Sequence, residues 1–255
     1  MLLSFDSDTD KDAEDSGKLW EKLNKLKIPA TFAVPGVQLE NGSAIYKSLH
    51  RDGAKFINHG GAAHTAFKDG RYWSVNFYNQ MSSEEVREDI RLGHAIFESV
   101  IGEAPKGFRA PHFGHFQGNE DLALVHDELA NLGGYSFSTS SLSYRSRKSG
   151  PIIRMNDTLE IPVTGSYEWP TRLFDSYGHL ISKEDRRVTD QYAQKLRESI
   201  EQFSKREMPA VLNYYADPSH VASNNAYFEV LEEAVERGVK FIDFDQLLNM
   251  VRAEK

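Results

Sequence analysis

Cysteine is absent from the 255 residues, so the chain has neither a disulfide framework nor a thiolate nucleophile. Any metal it holds must be ligated by histidine, aspartate or glutamate. No run approaches the roughly 18 apolar residues of a membrane span, and the N-terminus lacks the basic, apolar, small-residue order of a signal peptide. The expectation is a soluble, cytoplasmic protein without a membrane span. Basic charge is also short, with 30 Lys and Arg against 38 Asp and Glu and a formal net charge of −8. A nucleic-acid binder needs a basic surface, so that class is set aside. No linker, low-complexity stretch or internal repeat interrupts the sequence, and its length suits one α/β domain spanning residues 1–255.

Short apolar runs alternate with helix-patterned segments, the signature of about seven βα units around a mostly parallel sheet. The first run, Leu3-Ser4-Phe5, delivers Asp6 and Asp8 at alternate positions, which share a face if the strand geometry persists. Two such carboxylates need a cation or a shared proton, so they suit one metal ligand and one general base; a solvated acidic loop is the alternative. Further strands are predicted at Ala30–Val34, Ala54–Ile57, Gly107–Ala110, Tyr135–Ser138, Leu159–Val163, Val211–Tyr214 and Lys240–Phe244. Helices are predicted over Gly17–Lys27, Ser82–Ile101, 185–204, 224–237 and 245–252. Ser82 with Glu85 fits a capping box, and Gly102 stops that helix. Segments 143–157 and 164–182 are polar and read as loops over the face of the sheet.

Ligands of parallel α/β folds sit at the carboxyl ends of the strands. The residues found there are Asp6 and Asp8, His59 and His64, Arg109 with His112 and His115, then Asn213, Asp217 and His220. Aspartates and histidines from separate strand ends are what a mononuclear zinc or similar divalent site requires.

The order of these segments resembles the NodB-type polysaccharide deacetylases of the carbohydrate esterase class. Ser4-Phe5-Asp6-Ser7-Asp8 is similar to the opening motif, in the Asp-x-Asp variant of the intracellular peptidoglycan-deacetylase-like and allantoinase-like branch. Ala30–Gly36, His59–His64, Lys106–Pro111, Gly134–Ser141 and Ala216–His220 are similar to the segments that follow. The resemblance spans roughly residues 2–250 and implies a distorted (β/α)7 barrel. It also implies one divalent metal ion, with zinc the default, on Asp8, His59 and His64, and Asp6 as the general base. Arg109 would then pair with Asp6 and keep it ionised, and the backbone N–H of His112 or Phe113 would hold the oxyanion. His220 would be the acid for the leaving amine.

The chain departs from that pattern in three places. His59 and His64 are five residues apart rather than four, which on one straight helix is about 140° of rotation instead of roughly 40°. Gly60 and Gly61 permit a left-handed or bulged turn that absorbs the extra residue; otherwise only His59 binds metal. The final Leu-x-His becomes Leu212-Asn213-Tyr214-Tyr215, leaving His220, Tyr214 or water as the acid, or His220 as a mere helix cap. His112 stands where the family often has Tyr. Trp73, within the aromatic stretch Arg71–Tyr78, and Tyr214 are the candidate substrate contacts, Trp73 by stacking on a sugar ring or else pinning its loop to the core. The expected function is a metal-dependent hydrolase that removes an N-acetyl group from an amino sugar or glycan precursor. An allantoinase-like hydrolase of another non-peptide C–N bond, and a metal-lost carbohydrate-binding barrel, are the alternatives. The oligomeric state, a homo-oligomer included, stays open.

Overall fold

The computed structural model describes residues 1–206 and 210–253. Along the chain run β1 (Leu2–Asp6), α1 (Asp10–Lys25), β2 (Thr31–Val34), α2 (Gly36–Asn41), α3 (Ser43–Arg51) and β3 (Lys55–Asn58). A hairpin of β4 (Thr65–Lys68) and β5 (Arg71–Ser74) follows, then α4 (Ser83–Ile101), β6 (Gly107–Phe108), α5 (Asn119–Leu132) and β7 (Phe137–Ser138). The last part contains α6 (Ser143–Ser149), β8 (Ile153–Met155), β9 (Thr158–Glu160), α7 (Asp190–Ser204), β10 (Asn213–Ala216), α8 (Pro218–Val221), α9 (Asn225–Glu236) and α10 (Phe244–Ala253).

The main sheet has the order β10-β1-β2-β3-β6-β7-β9-β8, and seven of its strands are parallel, with β8 antiparallel at the edge. The sheet curls until its ends meet. Thr164 N–H donates to Asn213 O at 2.8 Å, and Asn213 N–H donates to Thr164 Oγ1 at 2.8 Å. This is the distorted (β/α)7 barrel expected from the resemblance.

Alternation along the strands sorts the side chains into two populations. Leu3, Phe5, Phe32, Phe56 and Tyr214 point outward and pack under the helices, together with Leu19, Leu23 and Tyr192. Leu2, Ala33, Ile57, Phe137, Leu159 and Ile161 fill the barrel floor, closed from below by Phe244, whose ring stacks on Phe137 at 4.5 Å. Above this apolar floor Ser4, Asp6 and Arg109 make the interior polar toward the carboxyl-terminal ends of the strands.

Several expected elements differ. Residues 240–243 form no strand, although Met1 is lashed to them through its ammonium on Lys240 O and its carbonyl, which accepts from Ile242 N–H. α1 starts seven residues before its expected start at Gly17, because Thr9 and Asp12 form a capping box at Asp10. The helices α2, α3 and α5 were not expected, and segments 143–157 and 71–78 contain α6, β8 and the second hairpin strand rather than loop alone. Among the described residues no helix is long and apolar enough to cross a membrane.

Candidate metal centre

β1 brings Ser4 and Asp6 to the barrel interior, and Asp8 continues the same alternation just past the strand. Thr65 Oγ1 donates to the Asp8 carbonyl at 2.8 Å and helps fix that backbone. β3 ends at Asn58, and His59 turns inward. Its Nδ1 donates to Arg109 O at 2.7 Å, which leaves Nε2 as the lone-pair nitrogen facing Asp8 Oδ1 at 3.5 Å and Asp6 Oδ2 at 3.8 Å. Burial, and the neighbouring His64, lower the His59 pKa well below its ordinary value, so the ring stays neutral and able to bind a metal.

His64 reaches the same point by the left-handed turn that the diglycine permits. Gly60 has φ +81, and a Cβ there would lie 2.3 Å from Asp89 Oδ2. Asp89, from α4, ties the turn down by accepting from Gly61 N–H at 3.1 Å, Ala62 N–H at 2.7 Å and Tyr78 O–H at 2.7 Å. Asn58 Oδ1 accepts from Gly60 N–H at 2.9 Å. His64 Nδ1 thus lies 3.2 Å from Asp8 Oδ1, and its ring stands edge-on to His59 at 4.4 Å.

One donor atom from each of Asp8, His59 and His64 lies within 4.8 Å of the other two. His64 Nε2 is buried and has no protein partner among the described residues. One carboxylate and two imidazoles with such unspent nitrogens fit a divalent metal, zinc included. Asp8 is held below the usual carboxylate range, because the rings of His64 and His59 outweigh the burial that acts against them.

Arg109 is fully buried behind Asp6, donating from Nη1 to Asp6 Oδ1 at 2.5 Å, from Nη2 to Ser4 Oγ at 2.7 Å and from Nε to Thr139 O at 3.2 Å. Burial drives the Asp6 carboxyl up, Arg109 opposes it and Asp8 adds to it, so Asp6 ends at about 6. The pair forms, but the protein interior costs the charge more than the guanidinium returns.

These groups open on a cavity of about 260 Å³ lined by Asp6, Asp8, Tyr72, His112, Phe113, Arg186, Tyr215 and Asp217, among others. Residues 1–125 match the polysaccharide deacetylase family. The fold of the whole chain is shared with a Mycobacterium smegmatis protein described as a candidate polysaccharide deacetylase (TM-score 0.69, 17% identity, 99% of this chain and 90% of that one). PuuE allantoinase is similar at TM-score 0.66 and 14% identity, over 94% of this chain and 72% of its own. A CE4-family pseudoenzyme from Bacillus anthracis is similar at TM-score 0.60 and 15% identity, over 97% of this chain and 64% of its own. No curated protein sequence matches. The chain has the NodB-type deacetylase fold, and its first 125 residues match that family.

Within this NodB-type barrel, His112 takes a left-handed backbone (φ +53) directly after Pro111 and lines the cavity with Phe113. Neither residue's N–H donates to a protein acceptor among the described residues. Tyr214 faces away. It is buried in the outer core and donates to Gly165 O at 3.3 Å, while its neighbour Tyr215 faces the cavity and donates to Asp175 Oδ2 at 3.3 Å. The hairpin likewise turns Tyr72 and Ser74 to the cavity and Trp73 away, under the Arg71 guanidinium at 3.5 Å. His220 is fully buried and absent from the cavity lining, and His115 is exposed outside it.

Sequence reasoning missed Arg186, Tyr215, Asp175 and the Asp89 clamp, and it left Tyr72 undistinguished within its stretch. Asp69-Gly70 between two alternating runs is a hairpin signal that could have separated Tyr72 from Trp73. For Arg186, far along the chain in a polar loop, no such signal exists.

Proposed function

We propose that this chain is a metal-dependent hydrolase that removes an N-acetyl group from an amino sugar or glycan precursor, residues 1–255 forming one barrel domain. The observation that carries the reading is the convergence of Asp8, His59 and His64 beside the Asp6–Arg109 pair at the mouth of the barrel. A divalent ion on those three residues supplies Lewis acidity that polarises the acyl carbonyl and acidifies a water. Asp6, poised near pH 6, takes the proton of the attacking water. Arg109 fixes the direction of that carboxylate. The backbone N–H groups of His112 and Phe113 stabilise the negative charge that develops on the acyl oxygen.

The allantoinase-like alternative uses the same centre and differs in the bond presented to it. The metal-lost binding barrel is disfavoured by the intact Asp-His-His cluster. The test is divalent metal per chain after brief zinc supplementation, together with acetate release from N-acetylated amino sugars. About one equivalent and acetate release are expected, with both lost in Asp8→Ala and His59→Ala. A folded wild-type chain without metal would overturn the reading. Metal without acetate release, but with hydrolytic ring opening of a cyclic ureide to its acyclic acid, would transfer it to the other C–N bond.

A further inference from the structure

A hydrolase of this kind needs a group to protonate the departing nitrogen, and His220, the residue expected to do so, is sealed behind the cavity wall. Its Nδ1 meets Ser176 Oγ at 2.8 Å, and its Nε2 faces Asp217 Oδ2 at 3.3 Å. Burial, and the charges of Arg186 and Lys183, lower the His220 pKa well below its ordinary value, so the ring is held neutral rather than as the imidazolium a general acid requires.

Asp217 stands between that ring and the cavity. It directly follows β10, whose parallel neighbour β1 ends at Asp6, and it lines the same cavity as Asp6 and Asp8. Its Oδ2 accepts from Arg186 Nη2 at 3.3 Å; its other oxygen has no protein partner among the described residues. Arg186 does not belong to Asp217 alone. The same Nη2 donates to Asp12 Oδ2 at 3.2 Å. Asp12 is also fixed by Thr9 N–H and O–H at 3.0 and 2.6 Å and by Ser219 N–H and O–H at 3.0 and 2.6 Å. One guanidinium therefore serves two carboxyl groups, of which Asp12 is tied by four further donors and Asp217 by none. Arg186 is held there in a left-handed backbone (φ +58), with its guanidinium 5.1 Å from the Tyr72 ring centre, a strained conformation that persists only where surrounding contacts enforce it.

We propose that Asp217 is the acid of this site, its carboxyl group giving a proton to the leaving nitrogen, with Arg186 and His220 as positioning residues behind it. The proposal rests on the hydrolase reading above. As the water oxygen bonds to the acyl carbon, its proton passes to Asp6. As the C–N bond breaks, its electron pair stays on nitrogen, which takes the Asp217 proton and leaves as the amine. The proton on Asp6 then returns through solvent to Asp217. Burial, and the Asp12 charge beside it, raise the Asp217 pKa well above the carboxylate range against the pull of Arg186, with Asp8 and Asp6 adding to the rise.

The experiment uses two probes on the zinc-loaded full chain. 4-Nitrophenyl acetate has a leaving group that departs without a proton, and 4-nitroacetanilide has one that needs it. Asp217→Asn, of the same shape, is expected to lower kcat on the anilide about 10²- to 10⁴-fold and on the ester less than about 10-fold. Asp217→Glu is expected to recover part of the anilide rate. Arg186→Met is expected to move the basic limb of the anilide profile to higher pH, because removing a positive charge makes the Asp217 carboxyl hold its proton longer. Equal losses on both probes in Asp217→Asn, or an anilide-selective loss in His112→Gln or Tyr215→Phe instead, would overturn the assignment while leaving the hydrolase reading intact. A metal-loaded wild type that cleaves neither probe and releases no acetate from N-acetylated amino sugars removes both.

Discussion

Asp6 carries two conflicting demands, since a base must lose its proton near neutral pH and a buried carboxyl resists losing it. The Arg109 contact at 2.5 Å moderates that resistance and leaves Asp6 at about 6. A base works when deprotonated, so activity is expected to rise with pH through about 6. Arg109→Met removes the opposing charge, so the acidic limb of kcat/KM is expected to shift to higher pH. The same variant leaves a buried carboxylate unpaired at pH 8, a loss of about 3–5 kcal/mol by urea denaturation. The loss is smaller at pH 5, where Asp6 takes up a proton. An unmoved acidic limb would detach Arg109 from Asp6. At this scale the sequence was most informative where chemistry and strand ends coincide, as at Asp6, Asp8, His59 and Arg109. It was least informative where two similar residues are adjacent. Tyr214 and Tyr215 differ only in strand phase, and a one-residue slip exchanges the core face for the cavity face.

Two short elements shape the rim of the site, the turn from Asn58 to His64 and the β4–β5 hairpin. Gly60→Ala places a Cβ on a left-handed residue and against Asp89 Oδ2 at 2.3 Å. We expect a stability loss of at least about 1–2 kcal/mol and zinc affinity reduced by about 10- to 100-fold. Gly70→Ala is the control, because Gly70 has φ +77 but open space around it; strain without loss of zinc affinity is expected, by calorimetric titration. In the hairpin, Tyr72→Ala is expected to raise KM for an amino-sugar substrate several-fold while Trp73→Ala leaves it within about two-fold. The reverse order would return the stacking role to Trp73. The capping box at Ser82 and Glu85 was legible because it is local, and the structure shows it in full. The hairpin was not, because two four-residue strands rich in aromatics have the same composition as a loop pinned to the core.

The whole molecule separates an apolar floor from a charged mouth within one barrel. Phe244 closes the floor by stacking on Phe137 at 4.5 Å, far from the metal ligands at the other end of the strands. Phe244→Ala is expected to cost about 3–5 kcal/mol in urea denaturation while metal per folded chain stays unchanged. Coupled loss of both would mean that the floor and the mouth are one mechanical unit. The seven parallel strands fall at seven of the eight apolar runs expected to be strands, and the eighth, Lys240–Phe244, forms none. The helices α2, α3 and α5 were not legible, since each is short or weakly patterned and draws its stability from packing on the sheet.

The sequence by itself determined the class of fold and the chemistry available, because strand periodicity and the placement of Asp, His and Arg at strand ends are local properties. It also marked the His59–His64 irregularity and offered Gly60 as its remedy, since a glycine's freedom belongs to the residue. Only the tertiary structure decided which of adjacent residues face the cavity, and that Asp12 and Asp217 share one guanidinium from Arg186. It also decided that His220 lies behind Asp217 rather than in front of it. Those outcomes depend on contacts between segments as many as 207 residues apart, and no window of sequence contains both partners.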